Sequence, residues 1–98
     1  MLFMVIETFP EGRVLPIYRH LNTQGRGLPD AVEYIDSWIT ADFRRCFQLM
    51  RTDDVALLQR WVLHWEGLGV AMEIVPVTPS KDTRAAIAPL LDKDTSHA

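Results

Sequence analysis

The sequence has one cysteine, two lysines, five glycines and no long apolar run. The single thiol, Cys46, excludes an internal disulfide framework and a cysteine-rich zinc site, and it fits a reducing compartment. Ten basic residues give one contiguous pair, Arg44-Arg45, and the net charge is −3. Clustered cations that neutralise a phosphate backbone are therefore missing, and nucleic acid is not an expected partner. No stretch approaches the ~20 apolar residues that cross a bilayer. The apolar start, Met1 to Ile6, has no basic segment before it, is interrupted by Glu7, and leads to no small-residue cleavage site, unlike a secretory signal. The expectation is a soluble, cytoplasmic protein without a membrane partner.

What is present suits one α+β domain. Ninety-eight residues, 48% of them hydrophobic, are enough for a single core. Leu2 to Thr8 is a β-favouring run ended by Pro10, Glu11 and Gly12. Val14, Ile17 and Leu21 have helical spacing; Pro16 is tolerated in a first turn, and Gly25, Gly27 and Pro29 end the helix. Ala31 to Ile39 and Phe43 to Met50 read as a hairpin with a tight loop at Thr40, Ala41 and Asp42. Asp53 and Asp54 open a helix whose apolar stripe is Val55, Leu58, Trp61, Val62, Trp65 and Leu68. Gly67 and Gly69 stop it, and Val70 to Val77 is the last strand. A turn or two of helix is expected over Lys81 to Ala88, with Ile87 and Leu90 against the body.

The order strand, helix, strand, strand, helix, strand is the ferredoxin-like βαββαβ sandwich. It predicts a four-stranded antiparallel sheet with both helices on one face and nothing on the other. Residues 1–90 form the domain, and residues 91–98 are expected as a flexible tail. Period-two reading with a three-residue hairpin loop pairs Ile39 with Phe43, Ile35 with Phe47 and Asp36 with Cys46. Leu2, Met4, Ile6, Ile35, Ile39, Phe43, Phe47 and Leu49 then face the helices. Phe3, Val5, Glu7, Val32, Tyr34, Asp36, Trp38, Arg44, Cys46, Gln48, Met50, Glu73, Val75 and Val77 face outward. An apolar patch of that extent exceeds what a monomer leaves exposed, so a homodimer through the open sheet face is expected.

Several strings are distinctive: Gly25-Arg26-Gly27-Leu28-Pro29, Tyr34-Ile35-Asp36-Ser37-Trp38, Arg45-Cys46-Phe47-Gln48-Leu49-Met50 with Asp53-Asp54, and Trp61 with Trp65. With them the chain resembles, from Met1 to about Val77, a small bacterial family known as domain of unknown function thirty-three-oh-three. The resemblance implies the dimeric α/β-barrel arrangement, in which two ferredoxin-like sheets face each other. It assigns no activity. Pro16 in the first helix and the longer C-terminal tail depart from the family's pattern.

Two groups of residues are candidates for a site. Glu7, Tyr34, Asp36, Cys46 and Gln48 would share one face, where paired buried acids raise a carboxyl pKa and supply a general base. Their plainer role is to hydrogen-bond across a dimer interface. Trp61 and Trp65, four apart, would wall a cleft for a small apolar or aromatic ligand, or would simply be core. Cys46 in a strand reads as a small buried hydrophobe unless a base lowers its pKa. His20 is a candidate acid or base; neither it nor His64 has a second ligand at helical spacing, so no metal site is expected. Gly25-Arg26-Gly27 lacks the spacing and preceding strand of a phosphate loop, and no cofactor is expected.

Two functions fit. The first is a small-molecule binding or protein-interaction module. The second is a cofactor-free oxygenase or isomerase, with His20 or Asp36 as base, Tyr34 or Gln48 holding an oxyanion, and Trp61 and Trp65 flanking a ring.

Overall fold

The computed structural model describes the backbone of residues 1–97 and the side chains of residues 1–91. It is an α+β domain compatible with the ferredoxin-like fold. The elements are β1 (Leu2–Thr8), α1 (Val14–Gln24), β2 (Glu33–Ile39), β3 (Arg45–Arg51), α2 (Val55–Glu66), β4 (Ala71–Val77) and α3 (Ser80–His97). The strands form one antiparallel sheet in the order β2-β3-β1-β4. Pro76 lies in β4, an edge strand, where a missing N–H leaves no central ladder bond unmade. Pro16 is the third residue of α1, within the turn whose N–H groups have no helical partner. The Asp54 side chain caps α2 by accepting from the Ala56 N–H at 3.0 Å.

The core lies between the sheet and the two helices. Ile17 of α1 and Leu58, Trp61 and Trp65 of α2 pack on Phe3, Val5 and Met50 of the sheet. This inverts the expected facing of β1 and β3, whereas Glu73, Val75 and Val77 of β4 pair with Ile6, Met4 and Leu2 on the open face and lie outward as expected. Phe3, Val5, Glu7, Gln48 and Met50 are buried beneath the helices, and Cys46 pairs with Glu7 on the same side. Leu2, Met4, Ile6, Phe47 and Leu49 are on the open face. The cause is visible in β1, which is apolar on both faces. Glu7 made the Phe3-Val5-Glu7 set look like the outer one, yet here the acid is buried and the wholly apolar set is uncovered.

A bulge between Tyr34 and Asp36 takes Ile35 out of the ladder, so the face alternates differently on its two sides. Tyr34 pairs with Met50 on the helix side, whereas Asp36 pairs with Leu49 and Trp38 with Phe47 on the open side. Asp36 and Trp38 thus stay outward as expected. The hairpin loop is also longer than three residues, because Phe43 adopts a left-handed φ of 62° and closes a turn onto the Thr40 carbonyl at 2.9 Å. Phe43 cannot then pair with Ile39, which instead faces Cys46.

A third helix follows the sheet. α3 runs past the expected two turns and carries Pro89 inside it. Ile87 and Leu90 do not reach the body; they are exposed by 42% and 61%. The flexible tail expected over residues 91–98 falls largely outside the described side chains. Among the described residues, no helix is long and apolar enough to cross a membrane.

Candidate functional site

A loop over residues 25–32 joins α1 to β2. Gly25 closes α1, its N–H donating to the Leu21 carbonyl at 2.8 Å, and then turns with φ 70° and ψ −170°, a conformation that side-chain-bearing residues avoid. Gly27 follows with φ 69°. Between them, the Arg26 carbonyl oxygen accepts two indole N–H bonds, from Trp61 at 2.7 Å and from Trp65 at 3.2 Å. The two tryptophans are therefore more than an apolar stripe: they clamp the loop to α2.

With its backbone held, Arg26 sends its guanidinium over the sheet. The group stacks on the Tyr34 ring, 3.9 Å from the centroid, and Nε donates to Gln48 Oε1 at 3.3 Å. Tyr34 in turn hydrogen-bonds the Ser37 hydroxyl. All of these lie on the helix-covered side, above Val5, Glu7 and Cys46.

The result is a cleft of about 150 Å³ between sheet and helices. Glu7, Cys46, Gln48 and Ser37 line its floor; Arg26, Tyr18 and Leu21 its mouth; Phe9, Ile17, Trp61 and Trp65 its walls. Trp61 and Trp65 meet edge to face, 6.3 Å between centroids, and Phe9 meets Tyr18 in the same way. Glu7 is 5% exposed, and no side-chain hydrogen bond or ion pair reaches its carboxyl from the described residues. Burial pushes its pKa up to about 7, opposed by the positive charge of Arg26. Burial likewise raises the Cys46 thiol to about 11, with the Glu7 charge adding to the effect. Cys46 is thus a neutral thiol and a poor nucleophile. Burial also raises Tyr18, helped by Cys46 and Glu7.

The sequence candidates divide on this geometry. Glu7, Gln48, Trp61 and Trp65 line the cleft, and Tyr34 stands behind Arg26. Asp36 lies on the other face, exposed, its carboxylate accepting the Ser37 N–H at 2.8 Å. His20 faces α2 instead of the cleft, with its ring 5.4 Å from Trp65 and 5.9 Å from His64. It borders a wider, more open groove of about 480 Å³ with Pro10, Arg13, Pro16 and Gly67. That groove contains no buried acid. Among the described residues no three His, Cys, Asp or Glu side chains converge as a metal site.

Arg26, Tyr18 and Ser37 were not singled out from sequence as site residues. For Arg26 the signal was its place between two glycines after a helix: such a pair holds a backbone shape that a side chain at either position would resist. Chemically, the cleft offers a carboxyl that titrates near neutrality, a cation, an amide and two hydroxyls inside an aromatic wall.

The class is an α+β, ferredoxin-like small domain with a polar-floored cleft under its helices. The family model of the domain of unknown function DUF3303 matches residues 1–91, and the chain belongs to that family. No curated protein and no solved structure matches it.

Proposed function

We propose that the chain is a homodimeric small-molecule binding module. The open sheet face meets a second copy, and the cleft beneath the helices takes one small, partly aromatic compound. The observation that carries the binding reading is the aromatic-walled cleft itself, in which Glu7, a largely buried residue whose carboxyl stays accessible and makes no hydrogen bond to the described residues, shares the space with Arg26. A concave apolar site with a few convergent polar groups is the usual form of a ligand pocket.

Support for the second copy comes from the open face. Leu2, Met4, Ile6, Phe47, Leu49, Trp38 and Val75 give it an apolar centre, while Glu33, Asp36, Glu73, Arg45 and Arg51 mix both signs of charge over the same face. Four strands of seven residues cover roughly 400 Å² of plane at the usual strand spacing and rise. That is the size of the larger apolar patches on monomers, which often mark interaction sites, and mixed charge suits a two-fold partner.

A second reading, a cofactor-free isomerase or oxygenase, is favoured by the pKa of Glu7. A carboxyl near 7 is suited to general-base work at neutral pH. In that case Glu7, and not Asp36 or His20, takes the proton, and Arg26 steadies the developing oxyanion.

The binding reading is tested by titrating the protein with benzene-sized aromatics and following its three indole N–H signals by NMR. The expected result is movement of the Trp61 and Trp65 signals with Trp38 unmoved. Unmoved Trp61 and Trp65 signals across a panel of such compounds would overturn it.

A further inference from the structure

We infer that the cleft selects a small aromatic monoanion of the arenecarboxylate kind, held between Arg26 and Glu7, and that one proton is taken up onto Glu7 as it binds. This rests on the cleft being a ligand site and goes further by fixing the charge and protonation of the bound pair.

Glu7 and Arg26 both line the cleft, yet no ion pair within 4.0 Å joins them among the described residues. The Arg26 guanidinium is turned onto Tyr34 and Gln48, using Nε for the latter. Its terminal N–H groups have no hydrogen-bond partner among the described residues. The guanidinium is thus positioned by groups that do not consume its charge, and its terminal fork is the part that suits a planar oxyanion. The backbone beneath is fixed by the two indoles, so this cation is held in place before any ligand arrives.

Charge then decides the state of Glu7. An anion seated on Arg26 in so small a space lies beside the Glu7 carboxyl, and two carboxylates sharing an apolar site do not both stay ionised. Protonated Glu7 resolves the conflict, because it donates an O–H to the anion in place of repelling it. Groups facing Glu7 from the surrounding elements leave this step to Glu7 alone. Cys46 on β3 and Tyr18 on α1 both have raised pKa values and are neutral in the range concerned. Arg26 supplies the positive charge that faces Glu7. β4 places Met72 opposite, and α2 contributes indoles. Size sets the rest: about 150 Å³ is the volume of an apolar cavity that takes benzene.

The experiment uses the full chain with benzoate and its neutral isostere benzamide, by calorimetry and indole NMR between pH 6 and 9. Benzoate binding is expected to weaken about tenfold per pH unit above 7. Calorimetry in two buffers of different ionisation enthalpy should show close to one proton taken up per benzoate at pH 8.5. Glu7→Gln should keep benzoate binding and lose the slope, since the amide donates as the protonated acid does. Arg26→Gln should weaken benzoate at least tenfold and leave benzamide little changed. Benzoate binding that is independent of pH, or benzamide bound as tightly as benzoate at pH 6, overturns this inference while leaving the cleft a ligand site. Silence of the Trp61 and Trp65 signals to both probes overturns the ligand site and this inference together. The proton count on the unaltered protein decides the matter even where a variant fails to fold.

Discussion

The Arg26 carbonyl oxygen and the Trp61 indole N–H, thirty-five residues apart, meet at 2.7 Å, and Trp65 adds a second, longer bond to the same oxygen at 3.2 Å. One acceptor with two donors is redundant for either donor alone. Trp61→Phe is expected to cost about 1–2 kcal/mol from the lost bond and its packing. Trp65→Phe should cost less for its hydrogen bond, which is the longer one. The double variant leaves the carbonyl without either indole, and its loss should exceed the sum of the singles by about 1 kcal/mol or more. Urea unfolding of the four proteins measures this, and additive losses would show that the indoles do not share the load.

The glycines beside Arg26 act through the backbone. A Cβ built on Gly25 or Gly27 meets no atom within 4 Å, so space is not what keeps them small. Their φ values of 70° and 69° are, and at Gly25 the accompanying ψ of −170° lies where glycine alone is comfortable. Gly25→Ala is expected to cost on the order of 1–3 kcal/mol. Gly27→Ala should cost about 1–2 kcal/mol, as for a left-handed residue. In both, Arg26 should lose its fixed position, seen as a Tyr34 ring that no longer shows the guanidinium's NMR contacts.

Glu7 gives a prediction in pH. Its folded pKa, about 7, lies above the 4.5 of the ordinary carboxyl. Between those values the folded state holds a proton that the unfolded chain has released, so stability falls as pH rises and levels off above 7. The shift corresponds to a loss on the order of 3 kcal/mol across that window. Glu7→Gln should abolish this slope and be the more stable protein at pH 8. Denaturant midpoints for both proteins at pH 5, 6, 7 and 8 test this, and parallel curves would mean that Glu7 is ionised as freely as an exposed acid.

Much of the fold was legible because its signals are local. Proline and glycine punctuation around α1, the acidic start and apolar stripe of α2, and the short β-rich runs marked every element up to Val77 to within a few residues. The grouping of Glu7, Tyr34, Cys46 and Gln48 on one face was legible too, although Asp36, expected with them, lies on the other. Which face was not, since β1 is apolar on both sides and alternation carries no sign. The bulge at Ile35 and the left-handed Phe43 break the count without a glycine to announce them. Joining the polar face to Trp61 and Trp65 required knowing that face was under the helices. The reach of Arg26 across the sheet is a tertiary fact, set by indoles far along the chain.

The open sheet face carries the remaining prediction. Phe47 sits at its centre, paired with Ile6 on one side and Trp38 on the other, while Arg45 stacks 5.1 Å from its ring. Trp38 on this face is 51% exposed. A second copy laid on it would remove Trp38, Phe47 and the Met4–Leu49–Val75 row from water together, at about 25 cal/mol for each Å² of apolar surface. Phe47→Asp adds a charge to that centre without touching the helix-covered core. The fold should therefore persist, with an unchanged far-ultraviolet circular dichroism spectrum, while the face loses its self-affinity. Light scattering after size exclusion is expected to give a dimer mass for the unaltered chain and a monomer mass for Phe47→Asp. A monomer mass for the unaltered chain at about 100 μM would leave this face without its second copy, since a stable dimer at micromolar Kd is fully associated there.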